Sequence, residues 1–282
     1  MKTAPVSPTE GSRDPGLHAM VEHPEVGNVV LAARAVEKTY PNGTQALEEV
    51  SLDIRRGEFV SLLGPSGCGK STLLKMFAGL EQPSSGTIRL SEQSSVARER
   101  SIAMVFQEAT LMPWTSVAEN VRLPLELAGM PRRESQARID EALELVGLAQ
   151  FAKCYPRELS GGMQMRASIA RALVVRPSVL LMDEPFGALD EFTRNRLDGD
   201  LHDLWEQRGF TVVFVTHSIY EAVFLSSRVV VMAARPGRVI ADVPIDAPAH
   251  RDDGYRVSPP FIDRCRILSE HLVRANHGAR QV

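Results

Sequence analysis

Gly64-Pro65-Ser66-Gly67-Cys68-Gly69-Lys70-Ser71 follows a short apolar run and precedes a helical stretch. The spacing is G-x-x-x-x-G-K-[ST], and each residue type in it has a use. Glycines let the backbone bend until successive N–H groups point inward and cradle an anion. The helix that follows adds the positive end of its dipole. Lys70 supplies a point charge for the β- and γ-phosphates of a nucleoside triphosphate, and Ser71 a hydroxyl for Mg²⁺. Asp183 and Glu184 suit the same chemistry. They end the apolar stretch 179–182, and open α/β sheets bind ligands at the carboxyl ends of strands. Asp183 is placed to hold Mg²⁺ through water, and Glu184 to polarise a water attacking the γ-phosphate. As neighbours on an extended strand they should point opposite ways and divide these tasks.

A second anion site is written at Leu159-Ser160-Gly161-Gly162-Met163. Ser160 is a good N-cap, and glycines allow close backbone approach. The free amides at this helix start have no evident local use in a chain that binds one triphosphate. Cys68 lies inside the first cradle. A helix N-terminus lowers a thiol's pKa, so the sequence predicts a reactive thiol that bound nucleotide protects.

In their order along the chain these motifs resemble the ABC-type ATPases, the nucleotide-binding subunits of ABC transporters. Tyr40 precedes the phosphate loop, and Gln107 ends a strand over 102–106. Residues 159–163 stand for the family signature, Ala188-Leu189-Asp190 for its D-loop, and His217 for its switch histidine. The likeness runs from about residue 29 to 240. It implies that Tyr40 stacks on adenine and that ATP is gripped by Gly64, Pro65, Ser66, Gly67, Cys68, Gly69, Lys70, Ser71 and Thr72. It implies that Ser71, Gln107 and Asp183 hold Mg²⁺, and that Gln107 also reaches the attacking water. Glu184 and His217 join Gln107 as catalytic residues, with His217 on the γ-phosphate. Ser160, Gly161 and Gly162 would contact the ATP of a second subunit, with Asp190 beside them, in a head-to-tail homodimer. Met163 and Met165 depart from the pattern, where many family members carry glutamine or another polar residue.

Finer texture is similar to the nitrate, sulfonate and taurine import ATPases: Phe106-Gln107-Glu108, Leu111-Met112-Pro113-Trp114, Asn120-Val121, Thr193-Arg194 and Ala234-Arg235-Pro236-Gly237-Arg238. By that likeness an integral-membrane permease would dock near Leu111 and Trp114, and an external solute-binding protein would belong to the same system. The expected place is then the cytoplasmic face of the membrane, peripherally. An export or lipoprotein-release ATPase is the alternative. A soluble ABC ATPase acting on DNA or ribosomes fits less well. Ser71 and Ser160 are too close for the long coiled-coil arms of the DNA-repair members, and one motif set is present instead of two.

These residues need a particular scaffold. Apolar runs over 58–63, 179–182 and 212–215 read as buried strands, joined by helices over 70–78 and 189–208. Strands over 29–32 and 46–54 flank the turn Tyr40-Pro41-Asn42-Gly43, and further strands fall at 86–90 and 101–106. Residues 229–232 and 239–243 can pair through Arg235-Pro236-Gly237. Helices are expected over 116–129, 131–146, 161–175 and 261–275, and no internal repeat is visible. The fold class is therefore α/β: an ABC-type P-loop NTPase core with a mixed sheet, an antiparallel β portion and an inserted helical subdomain over about 108–176. The core would span 28–245, after a disordered tail over 1–27 and before a C-terminal extension over 246–282. The 282 residues carry a net charge of −3 and three scattered cysteines. That excludes a disulfide scaffold and disfavours nucleic acid as a partner.

Overall fold

The structure is a computed structural model that describes residues 29–90 and 102–278, with side chains to residue 275. The expected tail over 1–27 lies outside these residues. Six strands build the main sheet in the order β5-β6-β7-β3-β8-β9. They are β3 (Phe59–Leu63), β5 (Ile102–Val105), β6 (Val179–Asp183), β7 (Thr211–Thr216), β8 (Arg228–Ala233) and β9 (Arg238–Pro244). All pair in parallel except β8 with β9, which form the antiparallel edge. A separate antiparallel sheet has the order β2-β1-β4, from β1 (Val29–Thr39), β2 (Gln45–Arg55) and β4 (Ser85–Leu90).

Strand alternation explains the layering. In β3, Val60 and Leu62 face a core shared with β1, β2 and helix α1 (Lys70–Phe77). Phe59 and Leu63 face a core shared with the remaining helices. A strand apolar on both faces can only lie in the middle of a covered parallel sheet. The one polar residue of β3, Ser61, is buried and satisfied by Ser226 Oγ at 2.6 Å.

Helices α2 (Val117–Leu127), α3 (Arg132–Leu145) and α4 (Gly161–Leu173) intervene between β5 and β6, although those strands are neighbours in the sheet. Ser116 caps α2 by accepting from Glu119 N–H. Buried Asn120 fastens the preceding loop, accepting from Met112 N–H at 2.7 Å and donating to Thr115 Oγ1 at 2.9 Å. The tip of that loop, Trp114, is left 74% exposed.

Beyond β6 come α5 (Glu191–Arg208), α6 (Ile219–Leu225), α7 (Asp253–Arg256) and α8 (Pro259–Gly278). α6 is absent from the sequence reading. Five of its seven residues are buried, so no polar stripe gave it a helical period. β1 runs eleven residues, where the apolar run suggested four. A bulge with Ala35 at φ 45° shifts the register midway and hides the continuation behind charged residues.

The 246–256 segment clamps α5 and α6. Arg251 donates to the carbonyls of Phe224 at 2.6 Å and Ser226 at 3.0 Å, satisfying groups that a helix end leaves free. Arg256 lies 3.5 Å from the Phe224 ring centroid and donates to Asp198 at 3.2 Å. Burial, helped by the charge of Glu221 and opposed by Arg256, pushes the Asp198 carboxyl up to about 8. Burial, with Arg251 and His250 adding, holds His202 down at about 4, so its ring is neutral. Among the described residues no helix is long and apolar enough to cross a membrane.

Candidate functional site

β3 ends at Leu63 and the chain enters the loop 64–69 before α1. Gly69 is the N-cap of α1, at φ 85°. A Cβ there would stand 2.5 Å from Leu47 Cδ2 and 2.7 Å from the Ala46 carbonyl, so both the turn and the packing demand glycine. Gly237, after β8, presses on the loop from outside; a Cβ on it would meet the Cys68 carbonyl at 2.2 Å. The sequence reading used Gly237 as a turn residue and as part of the 234–238 texture, not as a packing position. Lys70 is 4% exposed, and its ammonium donates to the carbonyls of Gly64 at 2.8 Å and Pro65 at 3.1 Å. Tyr40 lies at the rim, with its hydroxyl 3.3 Å from Thr72 Oγ1 and Lys38 Nζ 5.2 Å from its ring centroid.

Asp183 and Glu184 meet different partners, through a geometry other than strand alternation. The strand ends at Asp183, whose Oδ1 accepts from Ser71 Oγ at 2.7 Å. Burial and the charge of Glu184 push the Asp183 carboxyl upward, against the Ser71 hydrogen bond and the charges of Lys75 and Lys70. Glu184 leaves the extended conformation at φ 47°, in a region that a non-glycine residue rarely enters. Such strain persists only where neighbours hold it. Here the Glu184 N–H donates to Val215 O at 3.0 Å on β7, and Gly187 N–H closes the turn on Glu184 O at 3.1 Å. The turn aims one carboxylate oxygen at Lys70 Nζ, 4.0 Å away, and the other at His217 Nδ1, 3.1 Å away. His217 stands just past β7, which pairs with β6, and Ser218 caps α6 beyond it. A Cβ on Gly187 would lie 3.6 Å from Gln107 Nε2, so Gln107 reaches the same turn from the end of β5.

Comparison with known proteins identifies the family. The ABC transporter family pattern matches residues 47–187. The chain is 49% identical over 219 residues to the taurine import ATP-binding protein TauB of Rhizobium johnstonii, covering 78% of this chain and 82% of that protein. It is 43% identical over 244 residues to the aliphatic sulfonates import ATP-binding protein SsuB of Bacillus licheniformis, covering 85% and 93%. An ATP-binding cassette solved as a dimer in a post-hydrolysis state, bound to ADP and Pi, superposes with TM-score 0.67 at 35% identity. That match covers 77% of this chain and all of the other. The chain belongs to the ABC transporter ATP-binding family. It is an ABC-type ATPase.

The residues that the resemblance matched to the family signature lie away from this cluster. Ser160 caps α4, accepting from Met163 N–H at 3.3 Å, and Ser160 and Gly161 are exposed. A Cβ on Gly162 would meet Thr193 Cγ2 at 2.9 Å, so the start of α4 leans on the start of α5. Asp190 caps α5 by accepting from Thr193 N–H at 2.9 Å. Among the described residues no hydrogen bond joins Ser160, Gly161 or Gly162 to the loop 64–72. Met165 is a buried core residue, 4% exposed, which accounts for an apolar side chain there.

The reactive-thiol expectation for Cys68 is overturned. Its side chain is fully buried under the loop, where a Cβ on Gly64 would meet Sγ at 2.7 Å. Burial pushes the thiol up, and Lys70 only partly offsets it. The helix-terminus effect that the sequence suggested is outweighed by desolvation.

Three residues outside the sequence-stated site tie its parts together. Arg194 donates to the carbonyls of Leu189 at 2.8 Å and Phe186 at 3.3 Å, and lies 3.6 Å from Glu221 Oε1. Glu221, buried in α6, also accepts from the Thr216 hydroxyl, one residue before His217. The only sequence signal was the Thr193-Arg194 pair, and nothing in its spacing points to Glu221.

Proposed function

We propose that this chain is the ATP-hydrolysing subunit of an ABC importer, driving uptake of a small anion or related solute such as nitrate, a sulfonate or taurine. Hydrolysis rests on one observation above all: a single carboxylate, Glu184, held between the buried Lys70 ammonium and His217. In the proposed mechanism the loop amides and Lys70 grip the β- and γ-phosphates, and Tyr40 stacks on the adenine. Glu184 accepts a proton from the attacking water, whose oxygen then bonds to the γ-phosphorus as the bond to ADP breaks. His217 orients Glu184 through the Nδ1 contact and meets the γ-phosphate. Ser71, Asp183 and Gln107 offer hard oxygen donors suited to Mg²⁺, and a cation there would favour the Asp183 carboxylate that burial alone disfavours. That ion, when bound, neutralises phosphate charge.

The partners follow from two exposed surfaces. The start of α4 presents free amides with no triphosphate grip of its own, which supports a head-to-tail homodimer completing each pocket with Ser160, Gly161 and Gly162. The dimeric ADP-bound cassette supports the same arrangement. Trp114, exposed at 74% just beyond Gln107, supports a docking point for a permease helix. Likeness to taurine and sulfonate import proteins supports import, with an external solute-binding protein and a peripheral position at the cytoplasmic face.

Glu184→Gln tests the hydrolytic core. Turnover should fall roughly 10²–10⁴-fold while ATP binding, followed by fluorescent-nucleotide titration, persists. Unchanged turnover sinks the role of Glu184. For import, the complex reassembled with its permease should hydrolyse ATP faster when the anionic solute and its binding protein are added outside. Stimulation from the cytoplasmic side alone would favour export.

A further inference from the structure

The inward face of α5 carries a group that hydrolysis does not use. His202 is fully buried, yet neither ring nitrogen has a hydrogen-bond partner. Its ring packs against Trp205 and Phe224, 5.5 and 6.0 Å away between centroids. Buried polar atoms are nearly always partnered, and a bare pair in one ring calls for a ligand, an ion or a water.

The surroundings favour an ion. Asp203 follows His202 in the chain, and Glu206 lies one helical turn on, at the i+4 position that shares its face. One ligand atom from each of the three lies within 4.8 Å of the others. His250 Nδ1, on the segment that crosses α5, stands 3.8 Å from Asp203 Oδ1. Arg251 is the nearby opposing charge. It faces Glu206 electrostatically, and its guanidinium is spent on the carbonyls of Pro248, Phe224 and Ser226.

We propose that His202, Asp203 and Glu206, with His250 closing the set, bind a divalent transition-metal ion of the zinc class. Two imidazoles and two carboxylates form a mixed nitrogen and oxygen set, which suits Zn²⁺ or Co²⁺ better than Mg²⁺ or Ca²⁺. Metal–ligand bonds of about 2.0–2.2 Å require the carboxylates to close inward, and both reach the surface. The metal pins the 246–251 segment, and with it α7 and α8, to the helix whose first turn follows Asp190.

The test uses the full chain without a histidine tag and without nucleotide, titrated with Co²⁺. About one equivalent should bind, with the visible bands of a four-coordinate ion and no sulfur-to-cobalt charge-transfer band. Glu206→Gln, an exposed change that leaves the fold intact, should weaken binding roughly tenfold or more. His202→Gln should abolish it, and Asp183→Asn should leave it unchanged. Zn²⁺ should raise the thermal midpoint of the wild type, and that of Glu206→Gln by less at the same metal concentration. Absence of stoichiometric Co²⁺ binding overturns the proposal. So does binding that survives both Glu206→Gln and His202→Gln, or that is lost in Asp183→Asn.

Discussion

α1 and α4 both begin with N–H groups that the helix itself leaves without partners, and their surroundings differ in kind. α1 starts from Gly69 with no side-chain cap, and Lys70, Ser71, Asp183, Glu184 and His217 converge on it. α4 starts from Ser160, which spends its hydroxyl on the helix, and residues 160–165 contain no titratable side chain. On the proposed reading, one helix start carries recognition and chemistry together, and the other carries recognition alone. An anion cradle with no catalyst has a use when another surface delivers the phosphate. In a heterologous contact the same two patches meet on different copies.

That division can be broken by mixing. Lys70→Ala removes the charge from the first cradle. Gly161→Glu sets a carboxylate at the second, at a position where a Cβ meets Leu189 only at an ordinary 3.6 Å. Each variant alone should lose turnover. Mixed in equal amounts, half of the dimers carry one intact composite site, so ATPase activity should return to about a quarter of wild type. No recovery in the mixture would mean that the two helix starts do not share a nucleotide.

α5 supports both starts, since α4 leans on Thr193 while Arg194 holds the carbonyls of Phe186 and Leu189. Its anchorage is sensitive to pH through Asp198, which faces Arg194 on its own helix, Glu221 on α6 and Arg256 on α7. A carboxyl whose folded-state pKa stands at about 8, above the ordinary 3.8, takes up a proton on folding. Its contribution to stability therefore falls as pH rises from about 4 to 8 and stays low above that. Asp198→Asn removes the titration. The gap between the two proteins should widen in the variant's favour by an amount on the order of a few kcal/mol between pH 5 and pH 9. Urea unfolding at the two pH values measures it. The comparison cancels His202, whose lowered pKa is common to both proteins. A constant gap would show that Asp198 is ionised throughout.

The phosphate loop and the acidic pair were legible in sequence because their chemistry is local: residues 64–71 are contiguous, and Asp183 and Glu184 end one apolar run. The buried strands were legible for the same reason. What stayed hidden depends on distant chain segments. The left-handed turn at Glu184 is held by Val215 on another strand. Glu221 matters through Thr216 and Arg194, and α6 has no polar face to announce it. Cys68 misled because the motif gives its neighbours in sequence but not the Gly64 backbone packed against its sulfur.

The smallest effect sharpens the contrast most directly. Ser160→Ala removes the side-chain acceptor for Met163 N–H, and loss of such a cap costs about 1 kcal/mol. The isolated subunit should show that deficit in chemical denaturation. Its affinity for ATP should not move, because the grip of a single copy is built at α1, and Ser160 shares no hydrogen bond with the loop 64–72 among the described residues. An equal cut in the isolated subunit's ATP affinity would place both cradles on one nucleotide within one copy. Unchanged affinity with slower turnover in the assembled dimer is the pattern a shared pocket requires, since Ser160 then meets the phosphates only across the interface.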